Sequence, residues 1–203
     1  MIFCIIIDGL YFIVNLDQLL NFVICIYNIY KWYYGEKENM TIKKIQIDRF
    51  SVISSKPFEV IVAALEAAVG HPNMVEFMEA TWCTLTFVEL KNVIHRSLGR
   101  TGLMMFMKFD LGAILRKENG LNTPKVVRFL IGNPLIMKEM VKHIPDAGSY
   151  APVTILVDER PDGVHLSYDK IASFLAPYGN PEALVVARDL DSKIECLHRE
   201  FVV

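Results

Sequence analysis

Apolar and polar positions between residues 126 and 169 follow an order that predicts a strand, a turn, a helix and a hairpin. The apolar run Val126–Ile131 predicts a buried strand, and the Gly-Asn-Pro turn after it begins a methionine-rich helix over Pro134–His143. The apolar runs Val153–Asp158 and Val164–Tyr168 flank Pro-Asp-Gly, which is typical of a hairpin. A helix and a hairpin in one short block indicate an α+β protein.

The same patterns divide the rest of the chain into strands and helices. Strands are predicted at Thr41–Ile53 and Leu103–Phe109, and the second has apolar residues on both faces, which favours a central position in a sheet. Helices are predicted at Lys56–Gly70, Met74–Ala80, Thr86–Leu98, Leu111–Lys117, Asp169–Leu175 and Pro181–Arg199. Together these elements predict a compact α+β sandwich, in which helices pack on one mixed, mostly antiparallel sheet of about five strands.

Two of the helices have clear boundaries in the sequence. Thr86 and Glu89 stand at the spacing of a capping box. Asn180 and Pro181 supply a cap and a first-turn proline for the last helix. The apolar positions of that helix recur on one face, which predicts that it covers the sheet; they are Ala183, Ala187, Leu190, Ile194 and Leu197.

The first 34 residues differ in composition from the rest. Met1–Tyr34 is rich in Ile, Phe, Tyr and Leu and has no Lys or Arg before Lys31. A signal peptide is disfavoured because the segment has neither a basic start nor a small-residue cleavage site. The length allows a transmembrane helix, but several polar residues are costly in lipid. These residues are Asp8, Asn15, Asp17, Gln18 and Asn21.

We favour a different origin for this segment, a translated upstream region with Met40 as the true start. The codons of Gly35 and Glu36 can form a ribosome-binding sequence just before Met40, and a strand pattern begins directly after it. A membrane anchor and a packed N-terminal helix are the alternatives. The predicted organisation is a hydrophobic extension over residues 1–39 and a single α+β domain over residues 40–203. That domain is predicted to be cytoplasmic, or anchored to the inner membrane on its cytoplasmic side if the extension inserts.

Composition narrows the classes of partner and cofactor. A content of 53% hydrophobic and 22% charged residues is compatible with a well-filled core. A net charge of −2 and a pI near 6.2 give no reason to expect nucleic acid as a partner. The four cysteines form no CxxC pair, the histidines form no HExxH motif, and His165 on a hairpin strand is predicted to be exposed. We therefore expect no disulfide, no metal and no cofactor.

Three segments of the domain carry a pattern that resembles a known family. They read FLIGNPLIMKEM, APVTILV and DGVHLSYD, and their marked positions are Gly132, Asn133, Pro134, Pro152 and Tyr168. An apolar strand ending in Gly-Asn-Pro, a proline-led strand and a strand ending in tyrosine resemble the bacterial and archaeal family called domain of unknown function 302. The resemblance covers the chain from about residue 40 onward. It implies an α+β fold, often as a homodimer, and it implies no substrate because none is established for the family.

One further segment extends the resemblance and limits it. FMKFDLGAIL is similar to the family's strand that ends in aspartate, here at Asp110. Many members have a histidine directly after that aspartate, and this chain has Leu111. A metal or acid–base role for such a histidine therefore does not carry over.

The Gly-Asn-Pro turn is the first candidate for a binding site. The N–H groups and the dipole of the helix after it can receive an anion, although Pro134 removes one donor. The alternative is a tight turn in which Gly and Asn supply special backbone angles. Methionines nearby can line an adaptable apolar pocket or simply fill the core. We predict a small apolar or anionic ligand at Gly132, Asn133, Pro134, Met105 and Met137.

Four residues are weak candidates for catalysis: Asp110, His143, Asp146 and Tyr168. Asp110 follows an apolar strand, where it can point into a cleft or cap the next helical turn. His143 and Asp146 share one loop with Tyr150 and can form an acid–base couple. The alternative is that these are ordinary loop residues, since a histidine at a helix C-terminus is also explained by the helix dipole.

Three functions remain open from the sequence. We favour a non-catalytic, homodimeric module that binds a small molecule in the methionine-lined pocket. The first alternative is an enzyme with a pocket built around Asp110, His143 and Tyr168, which requires at least two of these side chains within hydrogen-bond distance. The second alternative is a membrane-tethered module that binds a protein partner, which requires residues 1–34 to be translated and inserted.

Overall fold

The computed structural model describes residues 2–7, 10–15, 17, 20–27, 41–120 and 123–201. Contacts divide the chain into two compact units, Met1–Lys44 and Ile45–Val203. Each unit has its own secondary structure, and all the candidate functional residues belong to the second.

The first unit contains a hairpin and a helix. Strands β1 (Ile2–Ile7) and β2 (Leu10–Asn15) pair in antiparallel fashion, and residues 20–27 form helix α1. Across the described ranges, no helix combines the length and the apolar composition needed to cross a membrane. The segment 28–40, on which the interpretation of Met40 as the start depends, lies outside the described residues. The role of the first 39 residues therefore stays a prediction.

The second unit supplies all the larger elements of the described chain. Its strands are β3 (Arg49–Ser54), β4 (Met104–Asp110), β5 (Val126–Gly132), β6 (Val153–Arg160) and β7 (Gly163–Asp169). Its α-helices are α2 (Phe58–Ala68), α3 (Met74–Trp82), α4 (Phe87–Ser97), α5 (Gly112–Asn119), α6 (Pro134–Val141), α7 (Ile171–Leu175) and α8 (Pro181–Arg199). Short 3-10 helices occupy Pro145–Tyr150 and Ala176–Tyr178.

The five strands form one sheet in the order β3-β7-β6-β5-β4. Every neighbouring pair is antiparallel, so the predicted α+β fold with about five strands is confirmed. The predicted hairpin joins β6 to β7 through a two-residue turn, in which Arg160 pairs with Gly163. Gly163 has a φ of 136°, and a Cβ at this position would lie 2.8 Å from the carbonyl oxygen of Ser54. Only glycine fits this turn without strain.

One face of the sheet forms the hydrophobic core with the helices. Alternate residues of the three central strands point to this face, and all nine are buried: Val127, Phe129, Ile131, Val153, Ile155, Val157, Val164, Leu166 and Tyr168. Helices α2 and α8 contact the sheet, and α6 and α7 pack against α8. The predicted apolar stripe of α8 is buried in this core as expected. Each fully buried leucine-sized side chain contributes about 2 kcal/mol to folding.

The helix boundaries follow the capping signals in the sequence. Thr86 and Glu89 form the predicted capping box at the start of α4. The side chain of Asn180 accepts a hydrogen bond from the N–H of Ala183 at the start of α8, where Pro181 occupies the first turn. These local signals are reliable because they satisfy backbone N–H groups that have no partner within the helix.

Two strand predictions are wrong in part. The strand predicted over Thr41–Ile53 begins only at Arg49, because the pairing with β7 begins with Arg49 opposite Asp169. The strand predicted over Leu103–Phe109 is placed by the sequence in the centre of the sheet, but the observed strand β4 is an edge strand. Its apolar residues divide among several environments: Met104 packs with α3 and α4, whereas Met107 is 48% exposed.

Candidate functional site

A small cavity lies behind the Gly-Asn-Pro turn, where β5 ends and α6 begins. Its volume is about 110 Å³, and we call it the methionine cavity. The residues that line it are Phe106, Gly132, Asn133, Pro134, Met137, Met140, Ala151, Pro152, Val153 and Leu190. Four of the five predicted ligand residues therefore line one cavity. Met105 packs against the main core instead of lining the cavity. The next residue, Phe106, forms part of the cavity wall.

The polar groups of the turn are already used within the protein. The Asn133 side chain accepts a hydrogen bond from the N–H of Leu135 at 2.9 Å and donates one to the carbonyl oxygen of Gly102 at 2.9 Å. The N–H of Met137 donates to the carbonyl oxygen of Asn133 at 3.0 Å, and Pro134 has no N–H. Few donors are left for an anion, so these bonds favour the tight-turn interpretation and an apolar occupant.

The remaining wall of the cavity is apolar and comes from three distant parts of the chain. Phe106 belongs to β4, Met137 and Met140 belong to α6, and Leu190 belongs to α8. A dry apolar cavity of roughly 150 Å³ is known to accept benzene. The methionine cavity is somewhat smaller, but unbranched methionine side chains adapt to the shape of an occupant.

The four catalytic candidates lie in separate surroundings. In the β4–β5 pair, Met104 lies opposite Gly132 and Asp110 lies opposite Val127, so Asp110 is at the other end of the pair from the turn. Within the described chain, no hydrogen bond joins any two of Asp110, His143, Asp146 and Tyr168. The geometry therefore gives no support to an acid–base constellation built from them.

Asp110 has a structural task at its own end of β4. Its carboxylate accepts a hydrogen bond from the N–H of Ala113 at 2.9 Å and pairs with Arg116 at 2.5 Å. The hydrogen bond from Arg116 holds the pKa of Asp110 below its ordinary value. These contacts favour the capping interpretation of Asp110, at the start of α5.

The second unit also contains the part of the chain that matches a family model. Residues 78–199 match the model described as Domain of unknown function DUF302. The chain belongs to the DUF302 family. The match includes every residue that lines the methionine cavity, and it begins later in the chain than residue 40, where the resemblance was expected to begin.

A solved DUF302 structure shares the fold of this chain. The crystal structure of an uncharacterized conserved DUF302 protein from Bacillus stearothermophilus matches with a TM-score of 0.52 and 11% sequence identity. The match covers 75% of this chain and 97% of the other. No curated protein matches the chain. Family and fold are thus shown, whereas the function has to be inferred from the geometry of this chain.

In this DUF302 chain, Tyr168 is a buried structural donor. Its hydroxyl donates a hydrogen bond of 2.5 Å to the carboxylate of Asp191 on α8. The same carboxylate accepts the N–H groups of Ile171 at 2.8 Å and Ala172 at 3.1 Å, at the start of α7. Burial, together with the negative charge of Asp191, raises the pKa of Tyr168 above its ordinary value. Tyr168 therefore keeps its proton and joins β7, α7 and α8.

Asp191 and His198 are two buried polar residues that the sequence analysis did not identify. Both lie on the apolar face of α8, four residues after the buried Ala187 and Ile194 respectively. The sequence does contain a sign of their burial, because polar residues in the register of an apolar helix stripe are expected to be buried. The ring nitrogen Nδ1 of His198 donates to the carbonyl oxygen of Ile194 at 2.9 Å, and Nε2 is buried without a partner in the described structure.

The loop that contains His143, Asp146 and Tyr150 is organised around a residue from the second 3-10 helix. Hydrogen bonds to Asp146 and Tyr150 raise the pKa of Tyr178 above its ordinary value. His143 is exposed, and its side chain takes no part in these contacts in the described structure. The predicted couple of His143 and Asp146 is therefore not formed in this arrangement.

The prediction that His165 is exposed is wrong. His165 is 7% exposed, and its Nε2 lies 2.8 Å from a carboxylate oxygen of Asp162 in the hairpin turn. The turn brings the Asp162 carboxylate within hydrogen-bond distance of the ring, which the alternation of residues along a strand does not reveal. Among the described residues, no group of three or more histidine, cysteine or acidic side chains could hold a metal ion.

Proposed function

We propose that this DUF302 protein is a non-catalytic module that binds a small apolar molecule in the methionine cavity. The observation that carries the proposal is an apolar cavity of about 110 Å³ whose neighbouring polar turn is already hydrogen-bonded within the protein. The separate surroundings of the catalytic candidates support a binding role over an enzyme. An occupant of this size is a single small ring or a short branched hydrocarbon.

Benzene is a suitable probe for this cavity, and we expect its binding to be visible in the methionine methyl signals. In protein labelled with carbon-13 at its nine methionine methyl groups, added benzene should shift the signals of Met137 and Met140 in a saturable way. The signal of Met107, which is 48% exposed on β4, is the internal control and should not shift. The measurement is a titration followed by two-dimensional NMR.

A pair of variants separates binding in the cavity from unspecific association. Leu190→Phe fills the cavity and should abolish the saturable shift, whereas Val185→Phe makes a large apolar addition at an exposed position of the same helix and should preserve it. If Leu190→Phe is poorly folded, Met137→Ala provides the opposite test, because a larger cavity should then accept indole. Equal shifts in Leu190→Phe and the parent would contradict the proposal.

We further propose that the module is a homodimer that pairs through the edge strand β4. The stretch Met107–Asp110 has a regular register with β5 on one side and is the sheet edge on the other. Its side chains Met107 and Phe109 are 48% and 38% exposed, and exposed apolar residues on an edge strand favour pairing with another strand. If Phe109 pairs with its own copy in antiparallel fashion, Lys108 lies opposite Asp110 of the partner subunit, so no like charges meet across the two edges.

Phe109→Lys is expected to convert the dimer into a monomer, because it places two like charges opposite each other at the centre of the paired strands. Sedimentation velocity at several protein concentrations measures the change. Ile53→Lys is the matched control, since Ile53 is 48% exposed on the other edge strand, β3. Pairing through β4 would be contradicted if the parent protein is a monomer. It would also be contradicted if the parent is a dimer and Phe109→Lys sediments at the same rate.

A further inference from the structure

The sheet face opposite the core carries a second cavity, whose lining overlaps that of the methionine cavity at Ala151 and Pro152. Alternation along β5 and β6 points Arg128, Leu130 and Thr154 to this face. These three residues line a cavity of about 300 Å³ together with Tyr150, Phe174 and Asp169. This volume is at the lower limit of the range found for small-molecule sites, roughly 300–1,000 Å³.

One wall of this cavity is a pair of stacked aromatic rings. The ring centroids of Tyr150 and Phe174 are 4.5 Å apart, and the ring planes differ by 19°. Phe174 belongs to α7, whose first N–H groups are held by the buried carboxylate of Asp191. Such a wall offers an extended apolar edge and face to a further planar ring.

Arg128 supplies a positive charge to the same cavity. Its guanidinium donates one hydrogen bond of 3.2 Å to the hydroxyl of Thr154, and it forms no ion pair within the described chain. The cavity's own carboxylate, Asp169, is held by Arg49 through two bonds of 2.6 and 2.9 Å. Arg128 therefore keeps donors that are free to bind a group from outside.

We propose that this cavity binds a small planar monocarboxylate, with its ring against Tyr150 and Phe174 and its carboxylate on Arg128. The planar fork of a guanidinium matches a carboxylate in two parallel hydrogen bonds. A single arginine with Asp169 in the same cavity disfavours a dianion such as phosphate, which needs more donors and is repelled by the second carboxylate. The two sites differ in chemistry, because the occupant proposed for the methionine cavity is uncharged.

Benzoate tests this proposal, with benzamide as a neutral probe of the same shape. Saturation-transfer NMR and a titration of backbone amide signals should show benzoate binding with shifts at Tyr150, Thr154 and Phe174. Benzamide should bind at least ten-fold more weakly, and salt should weaken benzoate alone because screening acts on the charged pair. Equal binding of benzoate and benzamide, or no benzoate binding, would overturn the proposal.

Variants of the chain locate the bound carboxylate. Arg128→Gln should weaken benzoate binding at least ten-fold, whereas Arg96→Gln makes the same change of charge on α4, which contributes no residue to the cavity. Phe174→Leu should weaken both probes, because it removes half of the aromatic wall. The cavity-filling Leu190→Phe should leave benzoate binding unchanged, so failure of the methionine cavity and failure of this site are distinguishable. Unchanged benzoate affinity in Arg128→Gln would overturn the proposal.

Discussion

Replacing Asp191 by alanine is expected to lower the free energy of unfolding by about 3–4 kcal/mol. The buried carboxylate accepts hydrogen bonds from the Tyr168 hydroxyl and from the N–H groups of Ile171 and Ala172. Alanine takes the acceptor away from two buried donors and one partly buried donor, and each unsatisfied buried group costs about 1–3 kcal/mol. Chemical denaturation at neutral pH measures the change.

Two further variants show whether the loss comes from this network. Asp189→Ala removes an exposed carboxylate from the same helix and should change the stability by less than about 0.5 kcal/mol. Tyr168→Phe removes one donor and leaves the two backbone donors bound, so its cost should be smaller, about 1–2 kcal/mol. A loss below about 1 kcal/mol for Asp191→Ala would contradict the structural role given to this carboxylate.

Acidification is expected to destabilise the protein by about 3 kcal/mol through His198 alone. Burial lowers the pKa of His198 from 6.5 to about 4 in the folded protein. Above pH 6.5 the ring is neutral in both the folded and the unfolded state, so its protonation does not change the free energy of unfolding. Between pH 6.5 and pH 4 the unfolded chain binds a proton that the folded protein does not bind, so unfolding becomes progressively more favourable. The contribution is complete below pH 4.

His198→Leu isolates this contribution, because leucine is apolar and does not titrate. The free energy of unfolding of the parent should fall between pH 7.5 and pH 4 by about 3 kcal/mol more than that of His198→Leu. Val185→Ala exchanges one non-titrating side chain for another at an exposed position of the same helix, and it should show the pH dependence of the parent. The same slope for the parent and His198→Leu would contradict a buried neutral histidine.

Much of the fold could be predicted because it is encoded locally. The hairpin between β6 and β7 depends on a two-residue turn, and α8 depends on its cap and its apolar stripe. The position of β4 could not be predicted in the same way. Apolar side chains on both faces indicate contacts on both faces, but they do not show whether a second strand pairs with the free edge. Here the contacts come from α3 and α4 around Met104.

The methionine cavity could be predicted only in part, for a similar reason. Gly132, Asn133, Pro134 and Met137 are close in sequence, so the turn and the first helical turn necessarily bring them together. The other walls come from β4, α8 and the strand β6, and their approach is decided by tertiary packing. The pattern of apolar residues within one segment does not show which distant segments pack against it.

The catalytic candidates illustrate the opposite difficulty. Tyr168 is a weak candidate for catalysis in the sequence, but its hydroxyl donates to a carboxylate 23 residues further along the chain. Residue type alone could not separate a proton donor for chemistry from a buried structural donor. Burial distinguishes these two roles. A polar residue such as Asp191, which stands in the apolar register of α8, does indicate a buried network.

Xenon occupancy of the methionine cavity tests the central claim most directly, because xenon binds dry apolar cavities and avoids polar sites. A crystal of the full chain under xenon pressure should show an anomalous peak enclosed by Phe106, Met137, Met140 and Leu190. The peak should be absent from crystals of Leu190→Phe treated in the same way. A parent crystal in which this cavity holds ordered water, with xenon bound elsewhere or not at all, would contradict a binding module for apolar molecules.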